Sequence, residues 1–150
     1  MVNVIEHPVI SALREQVDCY RRLAKLAEVQ HVHVQQSQTE QLLMVLAMRQ
    51  ELLDQLKLHE RTVGPERKRW SQFLCELPGA DRSTAESLLA ETRRLLETIT
   101  TADRNDALVL QQQKLNLGRQ INQASAARQV NRNYAASAYG TRPARLDVQR

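Results

Sequence analysis

Residues 41–57 read QLLMVLAMRQELLDQLK, and the spacing of the apolar side chains in this stretch decides the fold. Leu42, Val45, Leu46, Leu52, Leu53 and Leu56 recur at intervals of three and four, as on one face of an α-helix. Leu43, Ala47 and Met48 widen that face so that two neighbouring helices can pack on it at once. No period-two alternation supports a strand. Arg49, Gln50, Glu51, Asp54 and Lys57 fall on the other side and read as a solvated face.

Upstream, neither glycine nor proline occurs from Val9 to Val63. One helix of that length would span about 80 Å and have no partner of its own, so a break is expected. The polar run Gln35-Gln36-Ser37-Gln38-Thr39-Glu40 supplies it, with Ser37 and Glu40 spaced as a capping box that opens a new helix. A first helix is therefore predicted at about 8–34, with Pro8 in its first turn. Its buried stripe is Ile10, Leu13, Val17, Tyr20, Ala24 and Ala27. The second helix, about 38–61, is predicted to stop at Gly64-Pro65. A short segment, about 65–77, carries Trp70, Phe73, Leu74 and Leu77 and is expected to close one end of the hairpin before Pro78-Gly79 turns the chain.

The fourth helix, about 83–134, begins with Ser83 and Glu86 as a second capping box. Its stripe of Leu88, Leu95, Ile99 and Ala102 stays in phase with Leu110, Leu117, Ile121 and Ala124. Thr98, Thr100 and Thr101 weaken the helix locally, because β-branched residues lose rotamer freedom there, so a kink near Asp103 is the alternative. Residues 138–150, with Gly140 and Pro143 and no periodicity, read as a flexible, disordered basic tail. The fold class is all-α: an antiparallel helical bundle or coiled-coil-like hairpin in one domain, 1–137, with one long C-terminal helix.

That last helix is about twice the length of either hairpin helix, so its second half is expected to overhang. The apolar stripe there thins from Leu and Ile to Ala amid Gln111-Gln112-Gln113, Asn116, Gly118, Gln120, Asn122 and Gln123. A helix so provisioned is marginal alone and leaves its stripe uncovered, which is the pattern of a partner-binding helix. The expected client-binding residues are Leu95, Ile99, Leu110, Leu117, Ile121 and Ala124.

Composition narrows the function classes. The chain has 150 residues, 42% hydrophobic and only 3% aromatic, so the core is aliphatic and no aromatic platform serves bases or sugars. Cys19 and Cys75 stand singly and read as reduced thiols in a cytoplasmic protein. The N-terminal stretch lacks the charge and apolar run of a secretory signal. The longest apolar run, Leu42 to Met48, is far below the roughly 20 residues a bilayer requires, so no membrane span is expected. Residues 111–150 carry seven cationic side chains against Asp147 alone, whereas the whole chain is +4, so the basic excess is local. That excess reads as a solvated face and tail; nucleic-acid binding lacks an aromatic or motif companion.

Enzymatic signals are absent from the sequence. His31 and His33 lie two apart and face different ways on a helix, and no third ligand completes a zinc set. Glu15/Asp18, Glu51/Asp54 and Asp103/Asp106 are carboxylate pairs of the kind common on helix surfaces, and they read as surface residues. No glycine-rich phosphate loop or nucleophile elbow occurs, and no metal or other cofactor is expected.

Three features together carry a resemblance. They are the polar break followed by LLMVLAMRQELLDQL, the segment LLAETRRLLETITTADRNDALVLQQQKLNLGRQI with Asn105 before the last helical run, and the late Ser-Ala-Tyr139-Gly140. In pattern and order the chain resembles the FlgN-type flagellar export chaperones. The resemblance implies a small cytoplasmic all-helical chaperone, monomeric or weakly dimeric. Such a protein binds the C-terminal helices of hook-associated proteins, keeps them unassembled and delivers them to export-gate components. In that family the C-terminal helical region holds the client. The basic ending RPARLDVQR departs from the family, and no gate-docking role is carried over to it. The alternatives are a FliT-like filament-cap chaperone, a structural coiled-coil dimerisation protein and, last, a basic nucleic-acid binder.

Overall fold

A computed structural model describes residues 5–139, which form four helices: α1 Pro8–Gln35, α2 Thr39–Lys68, α3 Trp70–Glu76 and α4 Gly79–Tyr139. The described residues contain no strand, so the fold is all-α. Residues up to Val109 make one compact unit and those from Leu110 a second. Apart from Ala138 and Tyr139, which continue α4, the expected tail lies outside the described residues.

The first unit is built on α1. Val9, Leu13, Gln16, Tyr20, Leu23, Ala27, Gln30 and Val34 alternate spacings of four and three, the seam of a helix that packs along its whole length. All are buried except the half-buried Tyr20. His7 Nδ1 accepts from the Val9 N–H at 3.1 Å, so a side chain rather than water satisfies one of the orphan donors at the N-terminus of α1. At the other end the Gln36 N–H bonds to Val32 O, and Ser37 turns the chain at φ 54. That left-handed conformation corrects the expected capping box. An N-cap needs extended backbone, and Ser37 instead terminates α1. Gln38 becomes the N-cap residue of α2 without a side-chain cap bond, its Oε1 lying 2.7 Å from His33 Nδ1.

A second correction concerns Gly64-Pro65, where a stop was expected. Helix α2 runs through both residues to Lys68 and breaks only at Arg69, φ −123 and ψ 41. Interior proline costs about 3 kcal/mol. Val63, fully buried with Val9, Ile10, Leu13 and Phe73, anchors this part of α2 in the core, and that packing opposes the proline. The short α3 then closes the end of the hairpin as expected. Phe73 and Leu77 join the same cluster with Ala85, and Trp70, Leu74 and Leu88 pack around it. Arg82 donates from Nε to Leu74 O at 2.8 Å and from Nη2 to Leu77 O at 3.3 Å, satisfying carbonyls that α3 leaves orphaned.

Helix α4 starts at Gly79 rather than at Ser83, because Pro78 O accepts the Arg82 N–H at 2.9 Å and opens the first turn. The Ser83–Glu86 pair therefore lies inside the helix and caps nothing. No break occurs at Asp103. Thr98 is accommodated by back-bonding, its Oγ1 donating to Arg94 O at 3.0 Å, as Thr92 Oγ1 does to Leu88 O at 2.9 Å. Within the first unit, Ile99 packs with Cys19, Leu23, Leu52 and Leu56. Gln16 pairs with Glu60 and Gln30 with Arg49, so α1 and α2 are antiparallel. Arg21 pairs with Glu91 and His31 with Asp106, so the part of α4 within this unit runs parallel to α1.

Candidate helix-binding surface

The sequence-predicted client residues divide into two groups. Leu95 and Ile99 are 4% and 6% exposed, their apolar area already spent in the core of the first unit. Leu110, Leu117 and Ile121 are 41%, 57% and 57% exposed, and Ala124 is exposed as well. These four lie at spacings of seven, four and three, on one face of the second unit's helix. Among the described residues, none of them belongs to a buried cluster. Leu115 and Val130 are exposed too, but off this stripe.

Another apolar surface was not assigned from sequence. Of the wide face on residues 41–57, only Val45, Leu52 and Leu56 are buried, whereas Leu43, Met44, Leu46, Met48 and Leu53 are 42–69% exposed. The breadth of the stripe was expected to be covered by two neighbouring helices, but α1 and α4 together bury only its centre. On one side Met48 and Leu52 line a groove with Leu26, Arg22 and Lys25. On the other, Leu53 and Leu56 line a groove with Tyr20, Thr92 and Leu96.

The carboxylate pair Asp103/Asp106, expected on the surface, lies in a polar network instead. Asp106 is 1% exposed, with Gln30 Nε2 donating to Oδ2 at 3.0 Å and His31 Nδ1 lying 2.8 Å from Oδ1. Asp103 receives Arg49, which the spacing of residues 41–57 assigns to the solvated side of α2. That hydrogen bond holds the Arg49 guanidinium above its usual pKa, against the opposing effect of burial. The reason is geometric. Asp103 and Asp106 share a face with Ile99, and a carboxylate carried there needs hydrogen-bond donors from α1 and α2 in place of water. The other two pairs are exposed, with Asp18 close to Arg22 and Asp54 accepting from Gln50.

Within the described residues no group of three or more His, Cys, Asp or Glu side chains is arranged to hold a metal ion. No helix there is long and apolar enough to cross a membrane. Comparison with protein-family models, curated proteins and solved structures gives no match to the chain.

Proposed function

We propose that the protein is a helix-binding chaperone of the FlgN type, acting in the cytoplasm on the C-terminal helices of hook-associated proteins before their export. The observation that carries this reading is the exposed, in-phase stripe of Leu110, Leu117, Ile121 and Ala124 on the second unit's helix. A client whose terminal helices pair only in the finished assembly exposes apolar faces beforehand, and an unpaired helix of this kind covers them. Nothing in such a mechanism breaks or forms a covalent bond. Binding replaces water on two apolar surfaces, and release follows when the client reaches its own partner.

Calorimetric titration against the C-terminal peptide of a hook-associated protein from the same cell tests the reading. Changing Leu117 and Ile121 together to Asp should abolish binding while circular dichroism stays that of the parent. Each buried aliphatic contributes roughly 1.5–3 kcal/mol, and an unpaired charge in the interface adds a desolvation cost. Unchanged affinity in a folded double variant would remove this surface from the function. A permanent dimer through the same stripe is distinguished by light scattering, since it needs no peptide to double the mass.

A further inference from the structure

The charge around the exposed stripe selects among its occupants. From Ala107 to Tyr139 the chain contains Lys114, Arg119, Arg128 and Arg132 and not one Asp or Glu. All four cations are exposed. The ion pairs of the described residues lie between Glu6 and Asp106, and none of these four takes part in one. Their placement is uneven. Lys114 follows Leu110 by four, Arg128 follows Ala124 by four, and Lys114, Ile121 and Arg128 form one series seven apart. Arg132 follows Arg128 by four. Three cations therefore border the stripe or prolong it, whereas Arg119, two residues from both Leu117 and Ile121, lies on the opposite side.

Resting on the helix-binding reading above, we propose that the partner of this surface is an acidic amphipathic helix, with carboxylates flanking its apolar face to meet Lys114, Arg128 and Arg132. A second copy of the chain is the wrong occupant. Helices in contact lie 8–10 Å apart, about one screening length at physiological salt, so self-pairing would set two uncompensated cationic rows against each other. Nucleic acid is a poorer fit than an acidic helix, because phosphates satisfy the cations but leave Leu117 and Ile121 without an apolar partner. Carboxylates beside an apolar face satisfy both.

The test uses the full chain and three designed amphipathic peptides that share one leucine face and carry Glu, Gln or Lys along its borders. Fluorescence anisotropy at low and physiological salt gives the order of affinity, a labelled DNA duplex serves as a fourth probe, and sedimentation reports the chain alone. The Glu peptide should bind at least about ten-fold more tightly than the Gln peptide and the Lys peptide more weakly still, the gap narrowing with salt. Changing Lys114, Arg128 and Arg132 together to Glu should invert that order, and Arg119→Glu should leave it unchanged. If Glu and Gln peptides bind equally, the acidic partner is overturned and helix binding survives. If no peptide binds, the helix-binding reading fails with it. DNA binding tighter than that of the Glu peptide, or a dimer at low salt that no peptide dissociates, replaces the acidic helix by nucleic acid or by a second copy. Should the triple variant lose its helical signal, the peptide series on the parent decides alone.

Discussion

Arg49 holds Asp103 through both carboxylate oxygens, Nη1 to Oδ1 at 2.7 Å and Nη2 to Oδ2 at 2.6 Å, while the same Nη1 donates to Gln30 Oε1 at 2.6 Å. One guanidinium thereby fastens α4 to α2 and α2 to α1. The Arg49 side chain is 15% exposed and that of Asp103 37%, so solvent screens part of the pair. Arg49→Ala should cost about 1–3 kcal/mol, below the value for a fully buried pair. Urea unfolding followed by circular dichroism measures it, and a loss under 0.5 kcal/mol would mean that water replaces the guanidinium without penalty.

Asp106 makes a sharper test of the same network, because its carboxylate is buried and depends on Gln30 and His31. Gln30→Leu removes a donor and leaves the acid under-satisfied, so about 1–3 kcal/mol should be lost. Replacing both Gln30 and Asp106 by Leu removes donor and acceptor together, and the double variant should lose less than the two single losses added. Strict additivity in a double-mutant cycle would show that the two side chains do not depend on one another.

The two thiols should behave differently. Cys19 is buried, its Sγ lies 3.6 Å from Gln55 Oε1, and burial pushes its pKa above the usual thiol value, whereas Cys75 is exposed. Since the thiolate is the reactive species, an aromatic disulfide reagent at neutral pH should label Cys75 promptly and Cys19 only in denaturant. In Cys75→Ser the remaining reaction should follow the rate of opening of the first unit. Equal rates for the two thiols in the parent would contradict the packing of Leu23, Leu52 and Leu56 around Cys19.

How far the chain could be read in advance depended on the kind of signal. Apolar periodicity showed α1, the body of α2 and α4 as helical, because burial on one face is a local pattern repeated over many residues, whereas the short third segment was bracketed by glycine and proline and its start at Trp70 was not legible. Ser37 and Ser83 were misplaced as caps, since a capping box is a spacing of two side chains and its formation depends on a backbone conformation that the motif does not specify. Gly64-Pro65 was misread for the opposite reason. The local preference was real, but Val63 and Phe73, distant in sequence from Val9 and Ile10, override it in the core. Asp103 and Asp106 looked like surface carboxylates because their partners Arg49, Gln30 and His31 lie on other helices. For the candidate surface, Leu110, Leu117, Ile121 and Ala124 were visible as a stripe, and their exposure was argued from the thinning of apolar residues. Leu95 and Ile99 share that phase, and periodicity alone could not show where packing ends.

The final prediction concerns unequal protection along the chain. The second unit lacks buried clusters among its described residues, and Gly118 lies inside its helix with, beyond its chain neighbours and the local helix backbone, no atom within 4 Å of where a Cβ would sit. Amides from Gln111 onward should therefore exchange much faster than those near Val45, Leu52 and Leu56, which are buried in the first unit. Gly118→Ala adds helix propensity of about 0.8–1 kcal/mol without a clash. It should slow exchange between Gln111 and Ile121 several-fold, leaving amides of 45–56 unchanged. Because the binding stripe is then ordered in advance, peptide affinity should rise by up to the same free energy, about four- to five-fold. Exchange monitored by mass spectrometry and a peptide titration on one variant check both halves. Slow exchange across Leu110–Tyr139 in the parent would mean that the stripe is already covered, and an affinity unchanged by Gly118→Ala would separate the order of this helix from its binding.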